Sequence, residues 1–285
     1  MIPRRRAAPD PDDVPLTSGD RVVFGADKIT KGDVVAYYRA VAPRMLPHLD
    51  RRPLVLERYR KDIAAGGFYQ QGRPDHFPDY VPRIDLVRAD GEDGHHTGCD
   101  STAALVYLAN QGALTFHAWS SRLPDLERPD RLVLDLDPPG EDFEPVRVAA
   151  LLLREVLIEA GCVGLPMTTG SRGIHVIVPL DGSRTWEEVW PLAKELGAAL
   201  VARDPKTLTR AFYKSQRRGR LYVDTGRARR GHLAIVPWTV RARPGAPVAT
   251  PITWEEVADA AIGARYWTLK TALARPEDPW AALLS

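Results

Sequence analysis

The chain has 285 residues, 44% of them hydrophobic and 27% charged, with 39 Lys/Arg against 37 Asp/Glu, which is enough to build a sizeable core and is unlike a disordered or collagenous chain. No apolar run approaches the roughly 18–20 residues a membrane span needs, and the arginine-rich start at 1–6 has no apolar stretch behind it of the kind a secretory signal carries. Cys99 and Cys162 are the two cysteines, too few for a disulfide framework, so the expectation is a cytoplasmic protein with no membrane partner.

Residues 1–16 are rich in Pro, Arg and Asp, lack periodicity and read as a flexible tail, with one domain over 17–285. Thr30 with Asp33 three residues on is a helix start, and Val34, Tyr37, Tyr38, Val41, Met45 and Leu46 continue it as a helical stripe. A strand is predicted at 53–59, a glycine-rich loop with aromatics at 61–80, a helix at 101–111 and a short strand at 114–119. Strand 131–136 is stopped by Pro138-Pro139-Gly140, and a helix with Pro145 in its first turn runs to about Ala160. Strand 174–179, a helix capped at Thr185, strands 221–224 and 233–238, and a helix capped at Thr253 complete the order. Strands and helices are interspersed without strict alternation, which predicts an α+β fold over a doubly wound parallel sheet.

Asp135 and Asp137 stand two apart on a predicted strand, so their side chains share a face. Two carboxylates on one face repel unless a cation lies between them or one takes a proton. Mg²⁺ or Mn²⁺ suits such oxygen ligands. The same spacing equally fits a strand end whose acids cap a turn or meet arginines. Thirty residues on, Thr169, Ser171, Arg172, Gly173 and His175 lie in a Gly-rich segment. It is either a tight turn or a cradle in which backbone N–H groups, hydroxyls and cations hold phosphate oxygens.

Between positions 203 and 243 there are twelve Lys/Arg against two acids, while the rest of the chain has 27 basic and 35 acidic side chains. That asymmetry is either a salt-bridged surface or a polyanion footprint, with Lys214, Arg217, Arg218 and Arg220 the DNA-binding candidates. Asp224 lies inside this tract, either as an ion-pair partner or as a third metal carboxylate. Phe68 and Tyr69 are either a hydrophobic plug or a surface on which bases stack. The segment from His95 to Cys99 lacks the second Cys/His pair of a tetrahedral metal site.

Three segments in order carry a resemblance: Arg-Leu-Val-Leu-Asp-Leu-Asp-Pro-Pro-Gly at 131–140, Thr-Gly-Ser-Arg-Gly-Ile-His-Val-Ile-Val-Pro at 169–179, and Val-Pro-Trp-Thr-Val-Arg-Ala-Arg-Pro-Gly at 236–245. Gly-Gly-Phe-Tyr-Gln at 66–70 and Asn-Gln-Gly-Ala at 110–113 agree. Over about 17–280 the chain resembles the polymerase domain of bacterial DNA ligase D, within the archaeo-eukaryotic primase superfamily. The resemblance implies a mainly antiparallel catalytic palm and a second sheet-and-helix lobe. It implies two Mn²⁺ or Mg²⁺ ions on Asp135, Asp137 and Asp224, and a nucleotide site made by His117, Thr169, Ser171, Arg172, Gly173, His175 and Arg241. It further implies base stacking on Phe68 and Tyr69, and a DNA 5′-phosphate site at Arg21 and Lys31. The implied activity is template-directed addition of nucleotides, ribonucleotides preferred over deoxynucleotides, to primers at gapped or broken DNA in non-homologous end joining. Ku and a separate DNA ligase are its implied partners, and the nucleoid its implied location.

The chain departs from the pattern in places. Tyr69 replaces a phenylalanine, Gln71 and Arg21 replace lysines, and Thr225-Gly226-Arg227 replaces an asparagine-containing segment. The ligase signature Lys-x-Asp-Gly is absent, so the expectation is a polymerase module, not a ligase. Two other functions share parts of the pattern. A haloacid-dehalogenase-like phosphatase would use Asp135 as nucleophile but wants Thr or Val where Pro139 stands. A non-catalytic nucleic-acid binding module would keep the scaffold alone.

Overall fold

The computed structural model describes residues 7–87, 91–275 and 278–281. The chain forms two compact units, one from 1–119, 235–247 and 268–274, the other from 120–234, 248–267 and 275–285. The crossings fall among strands and turns, the one at 247/248 directly after the Pro-rich turn at 243–247.

The first unit begins with a small hairpin, β1 (Val22–Phe24) and β2 (Ile29–Thr30). Helix α1 (Lys31–Leu49) starts on a complete capping box, with the Asp33 carboxylate accepting from the Thr30 N–H at 2.8 Å. Its buried face carries Val34, Tyr37, Tyr38, Val41 and Met45, as the stripe requires, while Leu46 is only half-buried. Then come β3 (Leu54–Arg58), β4 (Phe68–Gln70), β5 (Arg83–Val87), β6 (Asp93–Thr97), α2 (Thr102–Asn110) and β7 (Ala113–Trp119).

The second unit runs through β8 (Ser121–Arg122), β9 (Asp125–Pro129), β10 (Arg131–Asp137), α3 (Glu144–Glu159), β11 (Leu165–Thr168), β12 (Ile174–Pro179), α4 (Trp186–Arg203), β13 (Leu208–Thr209), α5 (Lys214–Arg217) and β14 (Leu221–Asp224). The chain continues with β15 (Leu233–Ile235), then β16 (Thr250–Pro251) and α6 (Trp254–Ala258). One six-stranded sheet has the order β15-β7-β3-β6-β5, with β4 also on β3; the other has the order β13-β14-β10-β12-β11-β16. Apart from the parallel β13–β14 pair, the registered pairs of the second sheet are antiparallel. The fold is thus the expected α+β class with a mainly antiparallel palm. No described helix is long and apolar enough to cross a membrane.

Three expectations need correction. Residues 7–16 are not simply a tail: Val14 is buried and the Asn110 side chain donates to the Pro15 carbonyl at 2.9 Å, so order begins before Thr17; residues 1–6 lie outside the described ones. The 61–80 loop contains a strand, β4. Gly67 lets it start against Tyr59, since a Cβ there would meet the Tyr59 ring at 2.6 Å. The predicted strand 233–238 ends at Ile235, because Trp238 takes φ 70° and is fully buried. Tyr37 donates to the Trp238 carbonyl at 2.8 Å and Tyr38 accepts from the Val240 N–H at 2.9 Å, so α1 fixes the segment that leads to Arg241.

Candidate active site

Alternation along β10 sorts its side chains onto two faces. Leu132, Leu134 and Leu136 join a buried cluster with Val146, Ala150 and Leu153 of α3 and Val189, Ala193 and Leu196 of α4. Asp135 and Asp137 point to the other face. Neighbouring strands extend that face in register: Asp135 lies opposite His175 of β12 and opposite Asp224 of β14, and Asp137 lies opposite Tyr222. Residues directly opposite on antiparallel strands hold their Cβ atoms about 5 Å apart. One face of three strands therefore gathers Asp135, Asp137, Asp224, His175 and Tyr222.

Like charges directly opposite destabilise a sheet, and here arginines answer them. Arg227 Nη2 lies 3.0 Å from Asp135 Oδ2, and its Nε lies 3.9 Å from Asp224 Oδ2. His175 Nε2 is 3.5 Å from the same Asp135 oxygen. Asp137 meets Arg172 at 3.2 Å and Arg217 at 3.3 Å. Asp224 also accepts from the Gly226 N–H at 2.7 Å and from the Tyr222 hydroxyl at 3.3 Å. Burial alone would raise the Asp135 pKa, but His175 and Arg227 outweigh it and hold the carboxyl well below its ordinary value. The Tyr222 hydroxyl is pushed up to about 12 by burial and the Asp224 charge. Its ring sits 3.8 Å below the Arg217 guanidinium.

The loop between β11 and β12 is a closed turn. Thr169 Oγ1 donates to the Gly173 carbonyl at 3.0 Å and accepts from the Ser171 and Gly173 N–H groups at 3.3 and 3.2 Å. Gly170 takes φ 62°. A Cβ on Gly173 would lie 2.1 Å from the Leu136 carbonyl oxygen, so only glycine lets this turn close against β10. Thr169 and Gly173 thus shape the loop, and Arg172 and His175 aim at the two β10 carboxylates. Arg265 braces the loop by donating to the Ser171 carbonyl at 2.7 Å.

The four basic candidates near α5 divide. Lys214 and Arg218 are exposed. Arg220 is spent on the carbonyls of Arg217, Pro205 and Gln216. Arg217 belongs to the Asp137 site and also donates to the Phe212 carbonyl at 3.0 Å, so its place is with the carboxylates.

Within the first unit, Tyr69 and His117 form a pair with ring centroids 5.9 Å apart. Phe68 lies under Arg58 and Arg60 at 5.4 and 5.0 Å. Both aromatics are exposed, Tyr69 at 65%, which rules out the hydrophobic-plug alternative for it. The Arg241 N–H donates to the Pro247 carbonyl at 2.7 Å, and the Arg241 charge lies near enough to counter part of the upward shift of the Tyr69 hydroxyl. Lys31 is buried at 5% exposure, its ammonium held by the Thr17 carbonyl and, at 3.0 Å, by the Thr17 hydroxyl. Burial and the neighbouring Arg21 charge lower its pKa to about 8. Arg21 donates to the Arg60 carbonyl. Arg21 and Lys31 are therefore a same-sign pair.

Three residues of the site carried no role from sequence alone. Arg227 was only one basic residue near Asp224, Tyr222 was only part of a strand, and Arg265 was unremarked. The alternation of Tyr222 with Asp224 could have indicated the second; Arg265, 94 positions from Ser171, left no local signal. Among the described residues, no three His, Cys, Asp or Glu side chains stand close enough to cage a metal ion as they are. The donor chemistry nonetheless fits hard divalent cations, since a buried carboxylate and two partners share one face and arginines hold them where charge must be met.

This palm, with three carboxylates on its open face and a Gly-rich turn beside them, is the architecture of a primase-type domain. The chain belongs to the family of the LigD primase-polymerase domain, whose model matches residues 30–280. It is 31% identical over 261 residues to "Multifunctional non-homologous end joining DNA repair protein LigD" of Mycobacterium tuberculosis, covering 87% of this chain and 34% of that protein. It is 31% identical over 277 residues to the LigD of Pseudomonas aeruginosa, covering 94% of this chain and 32% of the relative. The chain therefore spans about a third of the length of these relatives. The solved "Polymerase Domain from Mycobacterium tuberculosis Ligase D in complex with DNA" superposes with a TM-score of 0.88 at 30% identity, over 95% of this chain and 98% of that one.

Proposed function

We propose that the chain is a metal-dependent nucleotidyltransferase that extends DNA primers at gaps and breaks, within non-homologous end joining. The observation that carries this reading is the single-face set of Asp135, Asp137 and Asp224 in a chain of the LigD primase-polymerase family. Asp135, Asp137 and Asp224 are the residues that would hold two Mn²⁺ or Mg²⁺ ions. Such ions activate an attacking hydroxyl and stabilise a leaving pyrophosphate. Around them, Arg172, His175 and the Ser171 turn hold the triphosphate; Arg241 and His117 are assigned to nucleotide binding by the family resemblance. The primer 3′-oxygen bonds to the α-phosphorus as the bond to pyrophosphate breaks. Phe68 and Tyr69 stack on bases, and Lys214 and Arg218 hold backbone phosphates. Arg21 and Lys31 take the downstream 5′-phosphate, which relieves their mutual repulsion. Preference for ribonucleotides, action beside Ku and a separate ligase, and a place on the nucleoid complete the proposal.

The phosphatase alternative has weaker support. Asp135 would be its nucleophile, yet that carboxylate is only 13% exposed and is held by Arg227 and His175. The test is extension of a labelled primer on gapped DNA with each nucleotide type and with Mn²⁺ or Mg²⁺. Metal-dependent extension, absent in Asp135→Asn, is expected. Binding of gapped DNA without extension under any condition would select the non-catalytic module instead.

A further inference from the structure

The carboxylate face is charge-balanced by side chains of the chain itself. Three acids, Asp135, Asp137 and Asp224, are met by three guanidiniums, those of Arg172, Arg217 and Arg227. Arg172 comes from the tight turn and Arg217 from α5, and of the three acids both meet Asp137. Arg227 differs. It reaches the two carboxylates that lie directly opposite on β10 and β14, at 3.0 and 3.9 Å. It is anchored by a 2.8 Å bond to the Leu233 carbonyl, which holds the half-buried guanidinium beside the two carboxylates. A cation bridging two facing carboxylates does what a divalent ion does there.

We infer that Arg227 is a resident counter-cation that competes with divalent metal for Asp135 and Asp224, so that metal loading requires its displacement. The inference rests on the proposed metal role of these aspartates. Its consequence is coupling. Even with Arg227 displaced, two divalent ions beside Arg172 and Arg217 outweigh the three carboxylates, and a nucleoside triphosphate supplies the compensating negative charge. Metal therefore binds weakly alone and tightly with nucleotide, and the free protein keeps its carboxylates paired without metal.

The experiment measures Mn²⁺ binding by electron paramagnetic resonance, with thermal melting with and without Mn²⁺, for the intact chain, Arg227→Gln, Arg227→Lys and Asp135→Asn, each with and without ATP. Arg227→Gln is expected to bind Mn²⁺ alone about tenfold more tightly, as loss of one competing charge-assisted contact implies. It is expected to melt lower than the intact chain without Mn²⁺ and to gain more on its addition. ATP should tighten Mn²⁺ in the intact chain by a larger factor than in Arg227→Gln, and Arg227→Lys should stay near the intact chain. Unchanged Mn²⁺ affinity in Arg227→Gln, with binding lost in Asp135→Asn, overturns the competition while leaving the metal site standing. Binding that Asp135→Asn does not alter overturns the metal assignment itself. If Arg227→Gln is poorly folded, the ATP dependence of Mn²⁺ binding in the intact chain decides: equal affinity with and without ATP overturns the coupling.

Discussion

Two ionic clusters in this chain are built on opposite terms. Around Asp135, Asp137 and Asp224, each carboxylate has an arginine partner and the charges balance. Around Lys31 and Arg21, two cations lie near each other and the lysine is buried against Thr17. On the reading proposed above, metal binding has to open the balanced cluster, whereas an arriving anion would relieve the repulsion within the unbalanced pair.

The contrast can be broken by experiment. The largest effect is expected from Asp135→Asn, which keeps shape but removes a charge: primer extension should fall about 10³-fold, measured as single-turnover rate, and near-normal extension would remove Asp135 from the chemistry. Leu134→Ala, one residue along the same strand but on the helix-covered face, should instead cost about 2–5 kcal/mol in chemical denaturation, with the rate of the folded fraction nearly unchanged. A large loss of rate without loss of stability there would deny that the two faces do separate work. Arg172→Ala should raise the KM for triphosphate about ten- to a hundredfold, the range for a lost charge-assisted bond.

A smaller effect, about tenfold, is expected at Lys31. Lys31→Met should lose the advantage that a downstream 5′-phosphate gives to gap filling, while extension on a template lacking that phosphate persists. The same lysine predicts a pH dependence. Its pKa in the folded chain is about 8, below its ordinary value, so the charged form is disfavoured by folding. The cost to stability is fully present below pH 8 and disappears as pH rises through the ordinary lysine range. The stability advantage of Lys31→Met over the parent should follow that course in melts. Phosphate binding needs the charged amine, so the 5′-phosphate advantage should decline above about pH 8; an advantage constant to pH 9.5 would remove Lys31 from that contact.

Much of the palm was legible because β10 and β14 alternate apolar and polar residues, and alternation fixes which side chains share a face, whereas β12 is apolar apart from His175 and was legible through its Gly-rich motif. Asp135, Asp137, Asp224 and His175 come together as the motifs implied. The hairpin of β5 and β6 was not legible, since Asp-Gly-His-His-Thr offers no apolar period and its strands are partly exposed. Arg220 looked like a surface cation but caps carbonyls of its own segment. Composition cannot distinguish these, because a guanidinium that binds backbone and one that waits for phosphate have the same chemistry. The role of Arg227 required the register of β10 against β14, a relation between residues 92 positions apart.

The contact of Gly173 with the Leu136 carbonyl bears on how this domain can be altered. A methyl group on that glycine would displace either the turn or the strand that holds the aspartates. Hybrids between relatives should therefore exchange 131–137 and 168–175 as one cassette, since a turn taken from one parent and a strand from another would meet at their least forgiving point. The tolerance of this chain to recombination is set there, by a space too small for a single carbon atom.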